Sequence, residues 1–129
     1  MKFLLDTCTL IWFFEGSEQI DEALQRRLVD PKNDVRLSDV SLLEIVIKHR
    51  MGKFPLPIAP SRLLPALAKK HRLESLPISR GAIFELESLP LLHRDPFDRL
   101  LIGQALNENY TLVTPDPLIR QYSVSVLWI

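Results

Sequence analysis

Short apolar runs alternate with helix-periodic segments from one end of this chain to the other, and that alternation restricts the fold more than any other feature. KFLL (2–5) ends at Asp6-Thr7 and reads as a buried strand, while TLIWFF continues as a short helix or turn closed by Gly16-Ser17. SEQIDEALQRRLVD (17–30) places Ile20, Leu24 and Leu28 at helical spacing behind a candidate Ser17 cap and stops at Asp30-Pro31. VRLS (35–38) predicts a second strand, and DVSLLEIVIKHRMGK a helix ending near Gly52, its basic residues toward the negative end of the dipole. The proline-rich FPLPIAPSRLLP leads into a helix reaching about His71. LESLPIS (73–79) supplies a third strand, RGAIFELESL and PFDRLLIGQALNEN two further helices, TLVTPD (111–116) a fourth strand and SVSVLWI a last one. Such alternation implies an α/β fold in which helices cover both faces of a parallel sheet and the crossovers are right-handed.

The 129 residues fit one domain, 1–129, able to remove roughly two thirds of its unfolded surface from water. With 47% hydrophobic and 25% charged residues the composition is close to the globular average and favours neither a disordered nor a membrane class. Sixteen basic residues balance sixteen acidic ones, so any polyanion site must be local or built on bound cations. The single Cys8 excludes an internal disulfide and reads as a small core residue in a reducing, cytoplasmic setting. Asp6 interrupts the first apolar stretch and no small-residue cleavage site follows, so a signal peptide is not expected. No apolar run reaches the ~20 residues of a membrane span.

Against this background, several acids stand where apolar residues belong. Glu44 lies inside a helix that is apolar around most of its circumference, the mark of a largely buried helix. Its neighbours Val40, Ile47 and Met51 offer no cationic partner. A capping box from Ser41 is the local alternative, although Ser38-Asp39 is an equally good, earlier start. Asp98 shares a face with Ile102 and Ala105; Asp95 is a good N-cap and Pro96 a good first residue, which leaves Asp98 at a position the dipole alone would favour. Asp6 and Asp116 could likewise be cap or turn residues.

Topology gives the four a common place. In a parallel sheet the strand C-termini and the following helix N-termini share one edge, where ligands bind. Asp6 and Asp116 leave strands, and Glu44 and Asp98 sit in early helical turns, so carboxylates from distant positions converge there. Clustered carboxylates cannot all ionise cheaply without a cation among them. Neither His nor Cys stands at zinc-site spacing and no calcium-loop pattern occurs, so oxygen-only ligands favour Mg²⁺ or Mn²⁺. Such a centre predicts phosphodiester hydrolysis by metal-activated water.

These residues resemble the PIN-domain ribonucleases, and within them the VapC-type toxins of bacterial type II toxin-antitoxin pairs. FLLDTCTLIWF resembles the family's opening strand with its first acid, Asp6, and SDVSLLEIVIK the segment carrying its glutamate, Glu44. HRDPFDRLLIGQA is the most specific piece and matches the third acid to Asp98 rather than Asp95; VTPD places the fourth at Asp116. Cys8 stands where many relatives have His or Ser, and Gly103 where Ala is commoner. The resemblance implies a three-layer α/β/α sandwich and a Mg²⁺- or Mn²⁺-dependent endoribonuclease selective for single-stranded RNA. It also implies a homodimer inhibited by a cognate VapB-type antitoxin, with no membrane partner. Arg99 is then expected to face phosphate or a neighbouring carboxylate, unless it is only a surface residue.

Two basic runs, KHRMGK (48–53) and KKHR (69–72), could track an RNA backbone, though solvated helix ends explain them equally simply. His49, His71 and His93 receive no catalytic role. Trp12-Phe13-Phe14 reads as core or dimer interface rather than a stacking platform. A phospho-acceptor receiver domain would share the architecture. It needs an adjacent acidic pair after the first strand and a late lysine, and this chain has Asp6-Thr7 and no lysine after Lys70. A catalytically inactive protein-binding module of the same fold is the other alternative, and the intact set of four acids argues against it.

Overall fold

The computed structural model describes residues 1–129. Five parallel strands form one sheet in the order β3-β2-β1-β4-β5: β1 Lys2–Leu5, β2 Asp34–Ser38, β3 Glu74–Leu76, β4 Thr111–Val113 and β5 Val126–Leu127. Six helices connect them: α1 Thr7–Glu15, α2 Glu22–Val29, α3 Asp39–Arg50, α4 Pro60–Lys70, α5 Arg80–Phe84 and α6 Pro96–Glu108. The architecture is the expected three-layer α/β/α sandwich.

Side-chain alternation along the strands builds two cores. Phe3 and Leu5 of β1 face one way, with Val35, Leu37 and Val113, and pack under Leu10 and Phe13 of α1, Leu24 and Leu28 of α2 and Leu64 of α4. Leu4 faces the other way, with Leu112, and packs under Leu101, Ile102 and Ala105 of α6. Strands buried on both faces need continuous apolar runs, which is why KFLL and TLV show no polar alternation. Phe13 is core, and Trp12 and Phe14 pack against it half-buried.

Several element ends differ from the expectation for local reasons. The second helix begins at Glu22, because Asp21 accepts from the Ala23 amide at 2.8 Å, whereas Ser17 closes only a tight turn through the Gln19 amide. Pro77 stops β3 short of residue 79, and Pro115 follows close behind β4. The segment 80–89 is helical only to Phe84 and tightens into a 3₁₀ turn over Glu85–Glu87. α3 is not the largely buried helix its composition implied. It buries Val40, Ser41, Glu44 and Ile45, while Leu43, Val46 and Ile47 are exposed. Gly103 is where α6 crosses α5: a Cβ there would lie 2.5 Å from the Ala82 carbonyl oxygen. No helix is long and apolar enough to cross a membrane.

Candidate active site at the carboxyl edge of the sheet

The strand order reverses at β1, with β2 and β3 on one side and β4 and β5 on the other. The crevice beyond the carboxyl ends of β1 and β4 is therefore the position where open α/β sheets bind ligands. Asp6 follows β1 directly, and Asp116 follows β4 after Thr114 and Pro115. Glu44 lies in the second turn of α3, whose N-terminus continues β2, and Asp98 in the first turn of α6.

Asp6 and Glu44 form the inner half, each 5% exposed. Asp6 caps α1 by accepting from the Thr9 amide at 2.8 Å, and its second oxygen accepts from the Thr114 hydroxyl at 2.5 Å, tying β1 to the end of β4. Burial nevertheless holds its carboxyl above the usual range, the hydroxyl and amide donors offsetting part of that rise. The Thr7 hydroxyl donates to Glu44 Oε1 at 2.7 Å and lies 3.0 Å from the Ser41 hydroxyl. Ser38, not Ser41, caps α3, so Glu44 belongs to no capping box. Nor is it without a cation: Lys48, one turn later, donates to Oε2 at 2.5 Å. Its aliphatic stem hides that partner in a helix read for apolar neighbours.

The outer half contains Asp98 and Asp116. Asp95 spends its carboxylate on the Phe97 amide at 2.9 Å, as an N-cap should, and Asp98 turns inward. His93 stands between the pair: Nε2 contacts Asp116 Oδ2 and Asp98 Oδ2, each at 3.0 Å. One donor atom from each of these three residues lies within 4.8 Å of the others, and Asp6 and Glu44 are outside that triplet. Asp98 is pushed up to about 7, by burial first and then by the charge of Asp95, with smaller additions from Asp6 and Glu44; His93 offsets part.

Cys8 reports on all four acids at once. It is exposed, correcting its reading as a core residue, because Thr7 and Thr9 turn inward and leave position 8 facing out. Its thiol is pushed up to about 12, by desolvation first and then by the negative charges of Asp6, Asp98, Asp116 and Glu44.

A family model described as the PIN domain matches residues 3–124. The chain belongs to the PIN-domain family. Its fold is similar to solved chains from VapBC2 of Rickettsia felis bound to a promoter DNA fragment (TM-score 0.76, 19% identity, 100% of both chains covered). A DNA-bound VapBC from Salmonella typhimurium gives TM-score 0.68 at 19% identity over 98% of this chain and 97% of that one. VapBC-5 from Mycobacterium tuberculosis gives 0.60 at 20% over 98% and 95%. No curated protein matches the chain.

Within this PIN domain two expectations change. Arg99 faces neither phosphate nor carboxylate: its guanidinium donates to the Pro90 carbonyl at 2.9 Å and the Tyr122 hydroxyl at 3.2 Å, with longer contacts to the Leu86 and Leu89 carbonyls. Those carbonyls end a 3₁₀ turn and a loop, where acceptors have no helical partner. His93, given no role by sequence, touches two of the four acids. Its partner Asp116 is twenty-three positions away, a separation no local pattern reveals. The donor set fits a divalent cation, because the carboxylates are hard oxygen donors and Asp98 and Asp116 each bring an oxygen within 3.0 Å of one nitrogen.

Proposed function

We propose that this PIN domain is a Mg²⁺- or Mn²⁺-dependent endoribonuclease that hydrolyses single-stranded RNA. We further propose that it is the toxin of a type II toxin-antitoxin pair, acting as a homodimer in the cytoplasm and restrained by a VapB-type antitoxin. What supports the nuclease reading is the placement of Asp6, Glu44, Asp98 and Asp116 on separate elements at the carboxyl edge of the sheet, with Asp98 and Asp116 each 3.0 Å from one nitrogen of His93.

Asp98 and Asp116 would bind the metal most directly, since they are the less buried pair, and Asp6 and Glu44 would complete the negative surround. A divalent ion held there supplies the positive charge that polarises a phosphodiester and makes water nucleophilic at neutral pH. The chain's own residues do the positioning. Thr114 and the Thr9 amide hold Asp6, and Thr7 and Lys48 hold Glu44, so the carboxylates need little reorganisation before reaction. Lys48, with a side chain 37% exposed, also offers a cation beside Glu44 to an incoming phosphate backbone.

The toxin assignment draws on the likeness to VapBC chains, in which such a fold is solved together with its partner. Exposed apolar side chains support a protein partner and a second copy: Leu43, Val46 and Ile47 on α3, Ile83 and Phe84 on α5. The test is cleavage of a single-stranded RNA with Mg²⁺, with EDTA, and by Asp6→Asn with Mg²⁺. Loss of at least about a hundredfold in both treatments is expected. Cleavage indifferent to chelation and to the substitution would end the metal-dependent reading.

A further inference from the structure

Sequence spacing assigned His93 nothing, and its proximity to Asp98 and Asp116 invites the idea that it is a third metal ligand. The hydrogen bonds around the ring point elsewhere. His93 Nδ1 accepts from the backbone N–H of Asp95 at 3.1 Å, so that nitrogen carries no proton. The ring proton is then on Nε2, which donates to Asp116 Oδ2 at 3.0 Å and lies 3.0 Å from Asp98 Oδ2. A nitrogen that carries a proton has no lone pair to give a metal, whereas its N–H can hold carboxylates in place.

The ring itself is fixed by a clamp on its backbone. The Tyr122 hydroxyl accepts from the His93 amide at 2.9 Å and the Leu92 amide at 3.2 Å, and donates to the Pro90 carbonyl at 2.8 Å. Arg99, in the first turn of the helix that bears Asp98, donates to that same carbonyl and to the Tyr122 oxygen. Tyr122 is buried, 5% exposed, so these bonds are shielded from competing water.

We propose that His93 is a positioning residue whose Nε2–H, set by the Asp95 amide and the Tyr122–Arg99 clamp, orients the Asp98–Asp116 pair for the metal without entering its coordination sphere. The inference rests on the metal-binding reading of those two aspartates. It assigns a function to three residues that contribute no charge to the ion: His93 as the donor, Tyr122 and Arg99 as its support.

The test combines ¹⁵N imidazole spectra of the whole protein with Mn²⁺ titration calorimetry. In metal-free protein the His93 ring is expected to show a protonated Nε2 and an unprotonated Nδ1, and to keep that pattern when Mg²⁺ is added. His93→Leu is expected to weaken Mn²⁺ binding by about tenfold to a hundredfold. His93→Gln, whose amide places a donor near the lost Nε2, should stay within about threefold of the parent, and Tyr122→Phe should weaken binding by about fivefold. A proton on Nδ1, loss of the Nε2 proton on adding Mg²⁺, or Mn²⁺ affinity unchanged in His93→Leu would each overturn the proposal. Absence of Mn²⁺ binding in the parent protein would instead strike the metal reading, while the metal-free ring spectrum would still decide the donor assignment.

Discussion

The two halves of the acidic edge are built on different principles. Asp6 and Glu44 are buried, and every carboxylate oxygen of theirs accepts a hydrogen bond: from an amide, two threonine hydroxyls and a lysine. Asp98 and Asp116 are more open, with side chains 19% and 26% exposed, and meet at a single imidazole nitrogen. The inner half is therefore assembled by folding itself, its charges already matched by donors. In the outer half Asp98 is pushed up to about 7 by burial and by the charge of Asp95, so it is the acid that folding leaves least matched, and that is the half to which the proposed cation is assigned. A site organised this way is rigid where the scaffold is defined and unmatched where a ligand would enter.

The sharpest way to break this contrast is through pH. Asp98 rises from the ordinary 3.8 to about 7, so between those values the folded, metal-free protein holds a proton that the unfolded chain has released. The stability contributed by that proton is fully present below the unfolded value and is lost as pH rises through about 7. Asp98→Asn has no such proton, so the difference in thermal midpoint between this variant and the parent in EDTA should grow across that window in favour of the variant. Parallel curves would mean that folding does not raise Asp98 and that the outer half is matched as well as the inner.

A smaller effect is expected inside. Thr7→Val removes the hydroxyl that donates to Glu44 while keeping the side-chain shape, leaving a buried carboxylate oxygen unmatched. A loss of about 1–3 kcal/mol in denaturant unfolding follows from stranding such an acceptor. An unchanged midpoint would show that Glu44 is not matched by the scaffold. Smallest of all, Lys48→Met leaves the other Glu44 oxygen without its donor but should cost only about 1 kcal/mol, the low end of the same range, because the lysine side chain is 37% exposed and water can take its place. It should bring Glu44 closer in behaviour to Asp98, visible as a larger gain in thermal midpoint on adding Mg²⁺ than the parent shows; an equal gain would separate Lys48 from the electrostatics of the site.

The contrast also explains what could be read from the chain. The layer order was legible, and each of the four candidate acids leaves a local trace: a strand ended by Asp6, an apolar helix interrupted by Glu44, a helix start carrying one acid more than capping needs, and an aspartate between prolines. The order of strands around β1 turned those traces into a place. What was not legible is what surrounds the acids. Thr114 reaches Asp6 across 108 positions and His93 reaches Asp116 across 23, and nothing in a window of sequence signals either meeting. Lys48 stands four positions after Glu44, within reach on one helix face, but its aliphatic stem blends into the apolar pattern of α3. Arg99, beside Asp98 in sequence, serves the Pro90 carbonyl and the Tyr122 hydroxyl instead. Cys8 lay in an apolar segment, and only the inward turn of Thr7 and Thr9 shows that it faces out.

The central claim is that Asp98, and not its neighbour Asp95, belongs to the hydrolytic centre. Cleavage of one single-stranded RNA in Mg²⁺ by Asp98→Asn and by Asp95→Asn tests it side by side. Asparagine caps helices about as well as aspartate, so Asp95→Asn should remain within about threefold of the parent, while Asp98→Asn should lose at least about a hundredfold. Equal losses, or a greater loss at Asp95, would contradict the account.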